Sequence, residues 1–312
     1  MIDMAKKRGS QASLLLTYVA TMLICIILFG TCAVVLLDVF VTQPAKKKQD
    51  ALNGVSSSDE DAAVDYSYAN ETILFVGANG ETLNAVALVR VKPQDGAVLI
   101  VPISKYTVAK VGDTSGTISE LFESGGMAYL KRAVENVFSV KCDKYLKITD
   151  EGWKSLVEYT GGTSDYTFPE ELRYKNEATG ELTSFSAGQA TRTLWGDDIR
   201  RIITYPLYSE GEKTRVQVIG ELSTCLINSA FTSNAADMKA NLTNIFNTIF
   251  NNSDTDITTK SFKEVREAYE YLLDNAKSPA TYRMPRGTWG QNGYFTVDSE
   301  FVGELKDYFG IE

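Results

Sequence analysis

The sequence predicts an α/β protein, a layered α-β-α sandwich with a central mixed sheet, preceded by one transmembrane helix. Three observations carry this reading. An apolar run near the start has no charged residue from Gly9 to Leu37. Three short β-branched runs follow one another at Glu71–Asn79, Ala85–Pro93 and Gly96–Ser104, each bounded by Gly, Pro, Asn or Asp. From Thr117 onward, stretches of helical periodicity alternate with a further strand at Lys144–Thr149, as α/β layering requires.

Taken in order, residues 1–12 form a short basic tail. Ser13 to Leu37 is a run of 25 residues without charge. About 20 apolar residues cross a bilayer. A cleaved signal peptide has a shorter apolar core, so this run reads as an uncleaved signal-anchor. Lys6, Lys7 and Arg8 precede it and Lys46, Lys47 and Lys48 follow it. The first cluster lies closer to its membrane edge, and Asp38 and Asp50 dilute the second. That favours a cytoplasmic N-terminus and an extracellular main domain in a single-pass protein of the cell membrane. The second cluster also reads as a solvated stalk near lipid headgroups. Residues 38–70 are rich in Ser, Asp and Glu and are expected to be a disordered acidic linker. Residues 71–312 form the extracellular domain.

Within that domain, Thr117 and Glu120 have the spacing of a helix capping box, and Gly125 and Gly126 interrupt the helix they open. Met127, Leu130, Val134 and Phe138 then share one helical face and are read as core. Asp150 is expected to cap a helix carrying Trp153, Leu156 and Val157 inward, with Gly161 just past its end. A loop-rich region runs from Gly162 to about Ser186. Helical stripes follow at Val218, Leu222, Cys225 and Leu226, and at Leu242, Ile245, Phe246 and Ile249. A strand pair lies in YRMPRGTWGQNGYFTV and a short helix in SEFVGELKDYFG. Trp153, Trp195 and Trp289 are assigned to the core rather than to carbohydrate platforms.

Composition excludes several functions. The chain has 312 residues, 44% hydrophobic and 23% charged, with a net charge of −9. Nothing supplies the basic footprint of a nucleic-acid binder. Histidine is absent, which excludes Ser-His-Asp and Cys-His catalysis and removes the commonest zinc ligand. Chemistry therefore falls to carboxylates, Arg, Lys, Ser, Thr, Tyr or a hard cation such as Mg²⁺. Cys25 and Cys32 lie in the apolar run as packing residues. Cys142 and Cys225 lie far apart, and whether they pair stays open.

The succession ILFVGAN, AVALVRVKPQDGAVLIVPIS, GGMAYLKRAVENVFSVKCDKYLKITDEGWKSLVEYTGG, AGQATRTLWG and NLTNIFNTIFNNSDTDIT resembles the LytR–CpsA–Psr family of bacterial cell-envelope proteins. The resemblance covers about Thr72 to Glu312 and is most specific between Gly125 and Gly162. It implies a membrane-anchored phosphotransferase that moves glycopolymers from polyprenyl-pyrophosphate carriers onto peptidoglycan. It also implies an α/β sandwich with a greasy pocket, arginines that hold the pyrophosphate and aspartates that bind Mg²⁺. Phosphoryl transfer of this kind needs positioning and charge neutralisation, not histidine.

The family's charged positions are largely replaced. Ala85 stands where the family has a metal-binding Asp. After Pro102, Ile103 stands for Arg and Ser104 for Asp, with Lys105 one position late. An Arg-Tyr-Arg motif reads Thr204-Tyr205-Pro206. In the Arg-x-x-Arg-Gln-Gln motif Arg215 remains, while Val218, Ile219 and Gly220 replace the rest. Neither Ala nor Ser holds a hard dication as a carboxylate does, and Ile, Thr, Pro and Val cannot clamp a phosphate. Lys105, Arg200, Arg201 and Arg215 are the candidates for a residual anion clasp. The plainer reading makes them exposed basic side chains on loops, paired with the many carboxylates. Asp197 and Asp198 are candidates for a substitute metal ligand pair, with N-caps or solvated acids as the plainer reading.

No metal or cofactor is assigned, Mg²⁺ entering only if the chain is active. The leading expectation is a LytR–CpsA–Psr-like protein with a degenerate site that binds a polyprenyl-phosphate-linked ligand or a partner. An active Mg²⁺-dependent phosphotransferase is the first alternative, and an interaction module without a lipid pocket the second. The bilayer, polyprenyl-linked glycopolymer and peptidoglycan are the expected partners.

Overall fold

A computed structural model of the protein describes residues 64–311. The expected tail, span and most of the linker lie outside the described residues. Among the described residues no helix is long and apolar enough to cross a membrane.

Six strands form the central sheet: β1 (Glu71–Asn79), β2 (Thr82–Lys92), β3 (Ala97–Pro102), β4 (Lys144–Ile148), β5 (Ser253–Thr255) and β6 (Ala280–Tyr282). Their order is β5-β4-β1-β2-β3-β6. β1, β2 and β3 form an antiparallel meander, β4 and β6 join parallel to β1 and β3, and β5 returns antiparallel on β4. Tight turns explain the meander; Gly96, with φ 62°, closes the one between β2 and β3. A parallel partner needs a longer crossover, which the chain between β3 and β4 provides.

The described helices are α1 (Ile118–Phe138), α2 (Asp150–Thr160), α3 (Gly196–Ile203), α4 (Glu212–Ser233), α5 (Ala235–Ala240), α6 (Leu242–Asn251), α7 (Thr259–Asn275) and α8 (Ser299–Phe309). They cover both faces of the sheet. Along β1, Thr72, Leu74, Val76 and Ala78 are buried, and the alternate residues Ile73, Phe75 and Gly77 are only half-buried. Of the first set, Leu74, Val76 and Ala78 pack with Leu130, Val134 and Phe138 of α1 and with Phe301 and Phe309 of α8 in the main core. Ile100 and Ala87, on the other face, pack with Leu272 of α7. A separate cluster joins α2, α3 and α4 through Val157, Ile199, Ile202, Val218 and Leu222.

Local chemistry explains the helix limits. Glu120 N donates to Thr117 Oγ1 at 3.2 Å and Thr117 N donates to Glu120 Oε2 at 2.7 Å, which is the expected capping box. Gly126 leaves helical geometry at φ 60°, ψ −150°, so the Gly-Gly pair kinks α1 where the sequence placed a break.

Several expectations need correction. Thr149, not Asp150, caps α2, its Oγ1 accepting from Gly152 N at 3.3 Å. The region beyond Gly162 holds two ribbons, Thr167–Phe168 with Gly188–Gln189 and Leu172–Lys175 with Leu182–Phe185. A third ribbon pairs Val108–Val111 with Thr114–Thr117 ahead of α1. Trp195, assigned to the core, is 44% exposed, while Trp153 and Trp289 are half-buried. The end of the expected linker is packed: Ala69 is fully buried and the Tyr66 ring lies 4.8 Å from that of Tyr271. Cys142 and Cys225 are both free, one in the main core and the other on α4.

Candidate functional site

At the end of β3 the chain turns sharply. Thr107 N donates to the Ser104 carbonyl at 3.0 Å, and Tyr106 N donates to Ser104 Oγ at 3.1 Å. This turn, the start of β2, the segment after α3 and the first turn of α4 together line a polar cleft of about 290 Å³. Asn84, Lys105, Tyr106, Thr204, Pro206 and Arg215 are among its walls.

One carboxylate organises this cleft. Glu212 Oε1 accepts from Ser104 Oγ at 3.0 Å, from Lys105 N at 3.2 Å and from Arg215 Nη2 at 2.7 Å. Its Oε2 accepts from Arg215 Nε at 2.6 Å. The Arg215–Glu212 pair is therefore bidentate, and both side chains are buried, 10% and 8% exposed. Arg215 Nη1 turns the other way and donates to the carbonyls of Asn84 and Ile203. Gly220 lets α4 come close enough for this: a Cβ there would lie 2.6 Å from Tyr282 and 3.0 Å from Pro102.

Lys105 is half-buried, and its ammonium lies over the Tyr106 ring, 5.4 Å from the centroid. Burial lowers its pKa below that of an ordinary lysine, the Arg215 charge adds to this, and Glu212 opposes it. The other two candidate cations lie elsewhere. Arg200 pairs with Glu181 and lines the neighbouring apolar cleft. Arg201 Nη2 bonds Asp198 Oδ1 at 2.6 Å and its Nη1 donates to the Leu182 carbonyl at 2.9 Å. Both sit on α3 and fasten it to the Leu172–Phe185 ribbon. Arg215 is buried and Arg200 and Arg201 are half-buried, all three on helices and not on exposed loops, while each pairs with a carboxylate as the plainer expectation has it. Lys105 and Arg215 share the polar cleft.

The replaced positions divide in two. Ala85, Ser104, Thr204 and Pro206 stay at or beside the clefts. Thr204 Oγ1 donates back to the Arg200 carbonyl at 2.7 Å. Ile103 packs in the main core and Val218 in the cluster of α2, α3 and α4.

The residues present do not fit a Mg²⁺ ion. Among the described residues, no group of three or more Asp, Glu, His or Cys side chains is placed to hold a metal. Asp197 pairs with Lys154 at 2.9 Å, and Asp198, 4% exposed, is clamped by Arg192 and Arg201. Asp198 also accepts from Trp195 N at 3.2 Å, so it anchors the start of α3 rather than being solvated. Asp150 Oδ2 accepts from Asn79 Nδ2 at 2.5 Å. Glu212 already holds the donors described above.

Beneath the half-buried face of β1 lies the apolar part. Two clefts, of about 40 Å³ and about 260 Å³, share Phe75, Ala87, Trp153, Ser223 and Leu226. The smaller one reaches Asn84, which also lines the polar cleft. Trp153 Nε1 is buried with no hydrogen-bond partner. Trp153 and Leu156, read as core, thus form cleft walls.

Glu212 is not among the residues that the sequence singles out. Its one signal in the sequence is the i, i+3 spacing to Arg215.

The domain is thus an α/β sheet layer with a polar cleft at the end of β3 and apolar clefts beside it that meet it at Asn84. The family model of the LytR–CpsA–Psr family matches residues 35–307, and the chain belongs to that family. Solved structures share the fold. A protein of Eubacterium siraeum DSM 15702 named as a transcription regulator gives a TM-score of 0.69 at 18% identity, over 82% of this chain and 98% of that one. TagV of Bacillus subtilis gives 0.61 at 19% identity, over 78% and 98%. TagT bound to LI-WTA gives 0.57 at 14% identity, over 82% and 95%. No curated protein matches the chain.

Proposed function

We propose that this protein is a cell-envelope member of its family that holds a polyprenyl-linked glycopolymer by its lipid chain and has little or no phosphotransferase activity. The observation that carries this is the Glu212–Arg215 pair. The arginine that matches the family motif is already neutralised at short range by a buried carboxylate. Ala85, Ile103 and Ser104 supply neither a dication ligand nor a phosphate fork. Removing one such electrostatic group from an active site typically costs about 10²–10³ in rate, and here several are replaced together.

The apolar clefts favour a lipid ligand over a purely structural role. Their walls are Phe75, Ala87, Trp153 and Leu226, and they adjoin the polar cleft through Asn84. Anchoring by the span at residues 13–37, with the domain outside the cell and close to peptidoglycan, belongs to the same proposal.

Two measurements on the full chain purified from membranes test it. Mass spectrometry of extracted lipid should find polyprenyl species above an unrelated single-span control. Incubation with polyprenyl-pyrophosphate and Mg²⁺ should give no transfer or pyrophosphate cleavage above a boiled sample. Turnover would establish the active enzyme instead, and an absence of lipid would remove the ligand.

A further inference from the structure

The cradle at the end of β3 is complete, and the protein itself occupies it. Ser104 Oγ, the Lys105 amide and two nitrogens of Arg215 converge on one carboxylate, that of Glu212. A hydroxyl, a backbone amide and a guanidinium fork are the donor set that binds an external oxyanion such as phosphate. The carboxylate comes from the helix that carries the arginine, three residues earlier, so the pair is preformed without any ligand.

We propose that Glu212 is a built-in anion that closes a latent phosphate site and sets the head-group specificity of the cleft against diphosphates. This rests on the reading above that the cleft receives a lipid head. A pyrophosphate reaching Arg215 must displace Glu212 or lie beside it. Displacement leaves Glu212 without its donors, and juxtaposition sets like charges side by side in the cleft, so either route weakens pyrophosphate binding. Heads of lower charge, a monophosphate or a free alcohol, avoid most of this. The wild-type protein therefore keeps its lipid by the chain, with the phosphates away from Arg215. Lys105, over the Tyr106 ring at the cleft wall, remains as a cation outside the Glu212–Arg215 pair.

The test is calorimetric titration of inorganic pyrophosphate into the full chain in detergent, comparing wild type with E212Q. Glutamine keeps the shape and the acceptor oxygen and removes the charge. Binding should tighten at least tenfold, about 1.4 kcal/mol, and pyrophosphate should raise the melting temperature of E212Q more than that of wild type. E212D, which keeps the charge, should show no gain. The gain should vanish in E212Q/R215A, which places it at this cradle. E212A serves as a second charge-removing variant should E212Q fold poorly. Equal binding by wild type and a folded charge-removing variant, or no binding by either, overturns the proposal. So does a gain by E212D that matches E212Q. The wild-type lipid content separates the two readings. Lipid without an anion gain in E212Q defeats the built-in anion alone, and a gain in E212Q without wild-type lipid defeats the lipid reading alone.

Discussion

Replacing Arg215 with alanine should destabilise the domain by about 3–5 kcal/mol, the cost of breaking a buried ion pair and leaving its partner charged and unpaired. The structure justifies the buried figure rather than the fraction of a kcal/mol typical of surface pairs, because both side chains are at most 10% exposed. The guanidinium also serves the carbonyls of Asn84 and Ile203, so its loss unties β2 from α4. For a domain of this size each kcal/mol moves the midpoint by about 2–4 °C, giving a fall of about 6–20 °C. Thermal unfolding of the full chain, followed by tryptophan fluorescence, measures it, since Trp153, Trp195 and Trp289 all lie in this domain. The double variant E212Q/R215M removes both charges and should recover much of the loss. A midpoint for R215A within about 2 °C of wild type would refute the reasoning, as would a double variant that loses the full sum of its parts.

Other expectations are simpler. Ser223→Phe projects an aromatic ring into both apolar clefts and should abolish most of the lipid recovered with the protein, read by mass spectrometry, while the circular dichroism spectrum is retained. Gly220→Ala puts a methyl 2.6 Å from Tyr282 and should cost about 1–3 kcal/mol in a thermal melt. Glu71, bonded to Tyr269 Oη at 3.1 Å, has its pKa raised by burial, with Tyr269 opposing. The native state then holds its proton to higher pH than the unfolded chain does. Its stability contribution is present below the unfolded value and falls as pH rises from about 4.5 through the raised folded pKa. Glu71→Gln should flatten that slope in urea titrations run across this window.

What the sequence makes legible here is mostly local. Thr117 and Glu120 are three residues apart, so their capping box is written in one turn, and β1 runs between the limits its pattern marks. β5 and β6 span three residues each and are strands only because β4 and β3 hold them, from more than a hundred residues away. The replaced positions Ala85, Ile103 and Ser104 were visible against the family pattern. Their fates differed for reasons of packing: Ile103 went to the main core and Ser104 to Glu212. Glu212 itself could not be read, because Ser104 and Lys105 precede it by 108 and 107 residues. Trp195 fails the core expectation: it sits just ahead of α3, its backbone amide bonded to Asp198 and the residue 44% exposed.

The packed segment just before β1 has a mechanical consequence. The described chain begins at Val64 and is packed through Tyr66 and Ala69 before it enters β1 at Glu71, whereas Gly77 and Asn84 lie toward the opposite end of the β1–β2 pair, roughly 20 Å from Glu71 at ~3.3 Å per residue. Tension applied ahead of this segment meets the packing of Tyr66 and Ala69 first and then pulls along β1, which is clasped by β2 on one side and β4 on the other. Drawing it out means shearing both ladders together rather than unzipping them bond by bond. A pull applied at that end loads the β1 ladders before it reaches the polar cleft, which Asn84 lines at the other end of the β1–β2 pair.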